Sequence, residues 1–329
     1  MKNILVTGGA GYIGSHFINA VLKRESDISI FVVDNFSQGE NNKIKDGKVF
    51  YYNADLKDKI EIERIFSENK IDIVVHFAAL ASVPDSVMKP HDYYQNNIIG
   101  GLNLLDAMLK NKVDKIIFSS SASVYGEPIS EIITEDHPKN PTNPYGYTKL
   151  IFENILKDYK KAYGLNSISF RYFCASGCDE SGKIGEYHDP ETHIIPSILN
   201  TFLGKRSEFH VYGNDFPTSD GSGVRDYIHV NDLADAHVLA LSKLLSGENA
   251  CAFYNLGINK GFSVFELIQA AEMIIGKKLN FKIKERRPGD PSRLIADSSK
   301  AQGELNWMPK YLSIEEIIKT AYNFFKSKI

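Results

Sequence analysis

The sequence has little of several features that define whole classes of protein. Its three cysteines, Cys174, Cys178 and Cys251, are too few for a disulfide framework, and neither they nor the nine histidines form the close spacings of a metal site. We therefore expect no bound metal and a reducing, cytoplasmic location. No apolar run approaches the roughly 18 residues of a membrane span, so no membrane association is expected. A formal net charge of −3 gives no general reason to expect a nucleic-acid partner.

The amino terminus combines a short apolar run, a glycine-rich turn and a helical segment. Residues 4–6 predict a strand, and residues 11–23 predict a helix whose positive end would face a phosphate group. Glycine allows a tight turn, a close approach of the backbone to a pyrophosphate, and close packing of helix on strand. The glycines fit both G-x-G-x-x-G and G-x-x-G-x-x-G, and they are Gly8, Gly9, Gly11 and Gly14.

An acidic residue follows the second predicted strand. That strand covers residues 28–33, and Asp34 ends it, 20 positions after Gly14. A carboxylate at this spacing binds the adenosine ribose hydroxyls of a dinucleotide. No arginine that could accept a 2′-phosphate occurs in residues 34–40. The pattern therefore favours NAD over NADP.

Apolar runs and helix-length segments alternate through the first half of the chain. This alternation predicts an α/β fold with a doubly wound, Rossmann-type parallel sheet, whose ligand lies beyond the carboxyl ends of the strands. The further predicted strands cover residues 48–53, 71–77, 115–119 and 167–173, and the further predicted helices cover 60–69, 90–110 and 143–163.

The composition and hydropathy pattern of the sequence change after residue 174. Residues 177–193 and 215–223 are rich in loop-forming residues, and only short strand and helix patterns follow. We expect a first domain over residues 1–174 and a smaller, mixed α/β domain mainly over residues 175–329. Segment 228–241 is expected to return to the first domain.

A tyrosine and a lysine four residues apart open the helix predicted after residue 143. Tyr145 and Lys149 lie on one helical face, where the ammonium group would lower the pKa of the phenol from about 10 toward neutrality and make it a base. Tyr322 and Lys326 have the same spacing, and such pairs also arise by chance. The serine-rich strand end at residues 119–121 favours the first pair, and we interpret the second as structural.

Several motifs together resemble the extended short-chain dehydrogenase/reductase family, and within it the nucleotide-sugar epimerases. They lie at residues 8–16, 119–126, 144–149, 189–193, 225–230 and 286–290, so the resemblance runs nearly end to end. It implies NAD-dependent 4-epimerisation of UDP-hexoses through a transient 4-keto sugar. The substrates implied are UDP-glucose and UDP-galactose, with their N-acetylated forms as a further option. The resemblance also implies that the first domain binds NAD, that the second binds the UDP-sugar, and that the protein is a homodimer.

The resemblance assigns roles to individual residues. Tyr145 is the implied base, Lys149 binds the nicotinamide ribose, and Ser121 hydrogen-bonds the reacting hydroxyl. The implied NAD-binding residues are Gly8, Gly11, Tyr12, Ile13, Gly14, Asp34, Asn35, Asp55, Leu56, Phe77, Ala78, Asn97, Tyr145, Lys149 and Tyr172. The implied substrate-binding residues are Ser121, Ser123, Tyr145, Cys174, His193, Tyr212, Arg225, Arg287, Asp290 and Leu294.

Three positions depart from the family pattern. Cys174 stands where the family usually has asparagine, and a thiol is a weak donor, so weaker substrate binding is expected. Ala81 stands where a lysine near the cofactor is common. Leu294 stands where enzymes restricted to UDP-glucose and UDP-galactose carry tyrosine, which predicts that N-acetylated sugars are accepted. The alternative is that Leu294 is a core residue of a strand with no role in substrate choice.

Two other functions fit the same fold. A nucleotide-sugar 4,6-dehydratase or decarboxylase is the first, but a dehydratase would carry an Asp-Glu pair where this chain has Ala122 and Ser123. A non-enzymatic dinucleotide sensor is the second, because fold alone does not establish function. Such sensors generally lack the Tyr/Lys pair that this chain keeps.

Overall fold

The computed structural model describes residues 2–38, 42–187, 191–287 and 290–328. Its strands are β1 Lys2–Thr7, β2 Ile28–Asp34, β3 Val49–Asn53, β4 Ile73–His76, β5 Lys115–Ser121, β6 Ile132–Ile133, β7 Asn166–Tyr172, β8 Cys174–Ser176, β9 Phe209–Tyr212, β10 Val224–His229, β11 Cys251–Leu256, β12 Gly261–Ser263, β13 Phe281–Lys284 and β14 Arg293–Ala296. Its helices are α1 Tyr12–Arg24, α2 Lys59–Glu68, α3 Val83–Met88, α4 Pro90–Tyr94, α5 Gly100–Lys110, α6 Pro144–Tyr163, α7 Ile194–Phe202, α8 Val230–Leu245, α9 Val264–Ile275, α10 Ser299–Leu305 and α11 Ile314–Lys326. In the described ranges, no helix is long and apolar enough to cross a membrane.

Seven strands form the central sheet, in the order β11-β7-β5-β4-β1-β2-β3. The pairs from β5 to β3 are parallel. The strand order reverses beside β1, where Thr7 pairs with His76 on one side and with Val33 on the other. A ligand-binding crevice forms beyond such a switch point. The doubly wound α/β fold predicted from the sequence is confirmed.

Helices cover both faces of this sheet. On one face, Ile62 of α2, Leu104 of α5 and Phe152 of α6 join the same buried cluster as Leu5. On the other face, Phe17 of α1 packs against His237 of α8, whose ring also contacts Phe77 and Phe170. The apolar strands are thus buried on both sides, which explains why they read as continuous runs in the sequence.

The predicted helix at residues 90–110 is interrupted. Gln95–Ile99 adopts a π-helix between α4 and α5. Hydropathy spacing cannot reveal this, because the π segment keeps helical dihedral angles and shifts the face by only part of a turn. Asn97, within this segment, is buried.

The chain divides into two compact units. The first contains residues 1–126, 138–171 and 234–254, and the second contains 127–137, 172–233 and 255–329. The returning segment therefore covers 234–254, where the sequence predicts 228–241. Residues 127–137 join the second unit because β6 pairs with β14, with Ile132 opposite Ile295. Which ligand each unit binds stays a prediction.

The second unit has its own sheets and core. Strands β12-β10-β14-β6 form its larger sheet, with β8 also paired to β10, and β13 pairs with β9. Leu199 of α7, Leu267 of α9 and Ile317 of α11 lie in one buried cluster. The mixed strand directions, antiparallel for β10 with β12 and parallel for β10 with β14, match the mixed α/β domain that the sequence predicts.

Candidate active site

The glycine-rich turn has no room for side chains at two of its positions. Gly8 has φ of +69°, and a Cβ atom there would lie 2.6 Å from the backbone nitrogen of Ala78. A Cβ atom on Gly14 would lie 2.3 Å from the carbonyl oxygen of Gly8. Gly11 precedes α1 and supplies no side-chain cap, so a bound anion could meet the positive end of the helix. Tyr12 and Ile13 form the first turn of α1.

Asp34 links the end of β2 to this turn. Its carboxylate accepts hydrogen bonds from the backbone N–H groups of Ala10 (3.0 Å) and Phe36 (2.8 Å). Burial raises the pKa of Asp34, and these two bonds oppose the rise. Asn35 donates to Asp55 at 3.2 Å, and Leu56 follows as a buried residue. The structure therefore brings together the predicted adenosine-binding residues at the ends of β2 and β3.

The end of β4 holds the next predicted residues. Phe77 and Ala78 both donate their backbone N–H groups to the carbonyl of Thr7, at 3.0 and 3.1 Å. Asn97 accepts from the N–H of Leu80 (2.9 Å) and donates to the hydroxyl of Thr148 (3.0 Å). The Asn97 side chain thus connects the loop after β4 to α6, a role that the resemblance did not assign to it.

Helix α6 begins at the candidate catalytic tyrosine. Asn143 caps the helix by accepting the N–H of Gly146 at 2.9 Å, and Pro144 occupies the first turn. A Cβ atom on Gly146 would lie 2.5 Å from the carbonyl oxygen of Ser123, so only glycine lets α6 approach the turn after β5 this closely. This approach places Tyr145 beside Ser121 and Ser123.

Tyr145, Lys149 and Ser121 lie together in the structure. The Ser121 hydroxyl is hydrogen-bonded to the Tyr145 phenol and also accepts the N–H of Ser123 at 3.1 Å. The Lys149 ammonium donates to the carbonyl of Ser119 at 2.7 Å and lies 5.7 Å from the centroid of the Tyr145 ring. Their roles in a reaction stay predictions.

The pKa values of this pair follow from burial. Burial raises the pKa of Tyr145, and the Ser121 hydrogen bond opposes the rise. Burial also lowers the pKa of Lys149 to about 7. The sequence predicts a lowered phenol pKa through Lys149, whereas in the protein alone desolvation of the phenolate is the larger influence.

Two groups of predicted substrate residues lie within the second unit. Arg225 on β10 pairs in register with Leu294 on β14. Separately, Arg287 donates to the carboxylate of Asp290 at 2.8 Å, and its guanidinium lies 5.0 Å from the ring centroid of Tyr212. The second group thus combines a guanidinium, an aromatic face and a carboxylate, which are suitable for a nucleotide.

Two of the basic residues that precede Arg287 have their own acidic partners. Lys282 pairs with Glu208 at 2.7 Å, and Arg286 pairs with Asp215 at 2.5 Å. Pro288 and Gly289, which belong to the motif at 286–290, lie outside the described residues, as do residues 188–190 of the motif at 189–193.

Cys174 and Tyr172 flank the transition from β7 to β8. Cys174 pairs in register with Tyr227 of β10, and Tyr172 is buried. Burial raises the pKa of the Cys174 thiol to about 11, although Arg225 opposes the rise. The thiol is therefore neutral at physiological pH, and thiolate reactivity is not expected of it.

His193 lies between two glutamates at the start of α7. Its Nδ1 is hydrogen-bonded to Glu186 and lies 4.0 Å from Glu191. The negative charge of Glu186 is the main cause that raises the pKa of His193 to about 9. His193 therefore carries a positive charge at neutral pH, and its side chain is 54% exposed.

The second Tyr/Lys pair has different surroundings. Tyr322 lies on α11 in the second unit and packs against the buried cluster of α7, α9 and α11. The Lys326 ammonium lies 5.9 Å from its ring centroid. Its interpretation as structural stays a prediction.

Three buried polar residues where α6 meets β5 and β7 were not predicted as part of the site. Glu153 and Arg171 are 0% and 1% exposed, and Ser120 donates to Glu153 at 2.6 Å. The signal was present, because Glu153 continues the four-residue spacing of Tyr145 and Lys149 along the buried face of α6.

The parallel sheet, its glycine turn at the switch point, and Tyr145 beside Ser121 and Lys149 define a protein of the short-chain dehydrogenase/reductase type. A family model described as GDP-mannose 4,6 dehydratase matches residues 5–321. The chain belongs to this family, and within it to the UDP-glucose 4-epimerases.

Curated relatives and solved structures agree on this group. The chain is 46% identical to UDP-glucose 4-epimerase of Halalkalibacterium halodurans, over 98% of this chain and 95% of that one. It is 45% identical to the enzyme of Bacillus subtilis, over 99% and 97%. The structure of UDP-glucose 4-epimerase from Bifidobacterium longum in complex with NAD+ and UDP matches with a TM-score of 0.92 and 40% identity, over 99% and 98% of the two chains.

Proposed function

We propose that this protein is an NAD-dependent UDP-hexose 4-epimerase that interconverts UDP-glucose and UDP-galactose. The observation that carries the proposal is the hydrogen bond between Ser121 and Tyr145 with the Lys149 ammonium beside them. Relatives at 41–46% identity that bear the name UDP-glucose 4-epimerase support the same activity. A 4,6-dehydratase is disfavoured, since Ala122 and Ser123 supply no acid or base for an elimination.

The first unit has a cradle that fits NAD. Gly8 and Gly14 leave no room for a Cβ atom, as the tight turn of a dinucleotide site requires, and the N-terminus of α1 would receive the pyrophosphate. Asp34 would hold the adenosine ribose through carboxylate oxygens that already accept two backbone hydrogen bonds. When bound, NAD would take the hydride released from C4 of the sugar and return it to the opposite face.

The chemistry of the chain itself centres on one proton. Tyr145, as a phenolate, would accept the proton of the 4-hydroxyl group, and Ser121 would hydrogen-bond the same oxygen. Burial opposes formation of the phenolate, so the positive charge of Lys149 is needed to favour it. After the 4-keto sugar has rotated to present its opposite face, Tyr145 would return the proton. The reaction involves no net oxidation.

The second unit would bind the UDP portion of the substrate. Arg225 and Arg287 offer guanidinium groups for the diphosphate, and Asp290 would take the uridine ribose. His193 adds a third positive charge, because Glu186 keeps its imidazole protonated at neutral pH. Binding through UDP alone would leave the 4-keto hexose free to turn.

We further propose a homodimer that acts in the cytoplasm. Large apolar side chains are exposed on the helices of the first unit, and they are Tyr94 (39%), Ile99 (43%), Tyr147 (42%) and Ile151 (36%). Helix α4 packs beside α6, so these side chains lie on adjacent helices. Exposed apolar patches of this kind mark protein interfaces. All three cysteines are free thiols, as in proteins of a reducing compartment.

The direct test is turnover of UDP-galactose. The purified protein is incubated with UDP-galactose without added cofactor, and UDP-glucose is measured by chromatography. We expect conversion toward a mixture of the two sugars. If no UDP-glucose forms even when NAD is added, the proposal is wrong.

A further inference from the structure

The buried face of α6 carries a second charge, one turn beyond Lys149. Glu153 is 0% exposed, and both of its carboxylate oxygens are bound by Arg171 of β7: Nε donates at 2.9 Å and Nη2 at 2.7 Å. Burial of two charges is costly unless such a bidentate geometry compensates for the lost water. Apolar residues of similar volume would often be as stable at such a place, so the ion pair suggests a role besides stability.

The contacts of this ion pair reach the strand that presents Ser121. Ser120 donates to Glu153 at 2.6 Å, and Arg171 donates through Nη1 to the phenol of Tyr125 at 2.8 Å. Three consecutive serines thus meet three residues of α6: Ser119 accepts from Lys149, Ser120 donates to Glu153, and Ser121 hydrogen-bonds Tyr145. The three α6 residues are spaced by four and share one face.

We infer that Glu153 is a positioning residue, which fixes α6 on β5 and β7 so that Tyr145 and Lys149 meet Ser121 and the cofactor correctly. This inference rests on the proposed epimerase activity. Nothing in the arrangement requires Glu153 to touch substrate or cofactor. Its effect passes through α6 to the two residues that do.

The charge of Glu153 also acts on Lys149. Burial lowers the pKa of Lys149 to about 7, and Glu153 opposes that change. The other groups that face this region are His76 of β4, which burial keeps neutral with a pKa of about 3, the Tyr145 phenol, and Arg171. Without the Glu153 charge, Lys149 would lose its proton at lower pH, and the positive charge of Arg171, no longer balanced by Glu153, would act in the same direction.

The test variant is Glu153→Gln, which keeps the shape of the side chain and removes its charge. We expect kcat for UDP-galactose to fall about 10- to 100-fold, as misplacement of a reacting group by about 1 Å does. The basic limb of the pH profile of kcat should move about one pH unit lower. Because the UDP contacts lie on other residues, KM should change little.

A second readout does not depend on turnover. Lys149 is proposed to bind the nicotinamide ribose, so its displacement should weaken NAD binding. The rate at which the protein loses NAD on dialysis should rise about tenfold in Glu153→Gln, the effect of losing one well-placed hydrogen bond. If the unaltered protein retains NAD but does not convert UDP-galactose, the proposed function is wrong, and the NAD loss rates still judge the role of Glu153.

Three further variants separate positioning from general destabilisation. Asp235→Asn breaks an ion pair between Asp235 of α8 and Arg24 of α1 in the same unit, and it should leave kcat and NAD retention unchanged. Glu153→Asp keeps the charge on a shorter side chain. The basic limb of its pH profile should therefore stay in place, while its kcat should fall by less than that of Glu153→Gln. Ser120→Ala removes one hydrogen bond to Glu153 and should lower kcat in the same manner but less.

One pattern of results would overturn the inference. If Glu153→Gln lowers only the unfolding temperature, with kcat, the pH profile and NAD loss unchanged, the ion pair is structural. If that variant does not fold, Glu153→Asp and Ser120→Ala decide, and unchanged kcat and NAD loss in both would overturn it.

Discussion

At the scale of single residues, the site depends on how burial and neighbouring charges set protonation. Burial raises the pKa of Tyr145 and lowers that of Lys149. At both residues burial therefore opposes the charged form that the proposed chemistry needs. At His193 the outcome is the reverse, because the charge of Glu186 outweighs burial and raises its pKa. Residue identity alone therefore does not give the charge state.

The charge of His193 predicts a pH dependence of substrate binding. Its pKa of about 9 means that the imidazolium is fully present at neutral pH and is lost as the pH rises through about 9. KM for UDP-galactose should therefore rise above that pH, since a positive charge proposed to attract the diphosphate is lost. The check is KM against pH for the protein and for His193→Asn, in which this rise should be absent; an equal rise in both would exclude His193.

The thiol at position 174 predicts a second effect on binding. Cys174 lies on β8 beside β10, and a thiol donates hydrogen bonds poorly. Cys174→Asn should lower KM for UDP-galactose about fivefold, if a group otherwise left unpaired gains a bond of about 1 kcal/mol. The turnover number should change little. A higher KM in this variant would mean that the pocket is built around the thiol.

Leu294 predicts the range of substrates. It lies on β14 opposite Arg225 and lacks the ring that would exclude an acetamido group. The protein should therefore convert both UDP-galactose and UDP-N-acetylgalactosamine, and Leu294→Tyr should abolish only the second activity, since a steric barrier excludes one substrate. Parallel assays of both sugars decide this. Failure of the unaltered protein to convert the N-acetylated sugar would refute the prediction.

At the scale of elements, the N-terminus of α6 positions the candidate base. Asn143 caps this helix and Ser313 caps α11 in the same way, each accepting the N–H three residues on. Asn143→Ala and Ser313→Ala should each lower the free energy of unfolding by about 1 kcal/mol. Only Asn143→Ala should also lower kcat, because Tyr145 lies in the first turn of α6. Equal kcat values in both variants would show that the cap does not position the base.

The elements also show what local sequence patterns can predict. The glycine turn, the apolar strands and the Tyr145–Lys149 spacing were readable because each depends on neighbouring residues. The π-helix at Gln95–Ile99 was not readable, because hydropathy spacing does not distinguish it from the α-helices on either side. Glu153 continues the spacing of Tyr145 and Lys149, but its pairing with Arg171 was not readable, because the two residues lie 18 positions apart on a helix and a strand.

At the scale of the whole molecule, the chain order does not follow the compact units. Residues 127–137 belong to the second unit because β6 pairs with β14, which is more than 150 positions away. Segment 234–254 belongs to the first unit, where His237 packs on Phe17. Such long-range pairing leaves no local pattern, so the bounds of these segments cannot be read from the sequence alone.

The central claim is that Tyr145 is the base of a UDP-hexose 4-epimerase. The measurement is kcat for conversion of UDP-galactose to UDP-glucose by the protein, by Tyr145→Phe, and by Tyr322→Phe as the matched control. We predict that Tyr145→Phe lowers kcat at least ~100-fold, as loss of a positioned base does, and that Tyr322→Phe keeps it. Full activity in Tyr145→Phe, or loss of activity in a folded Tyr322→Phe, would contradict the assignment.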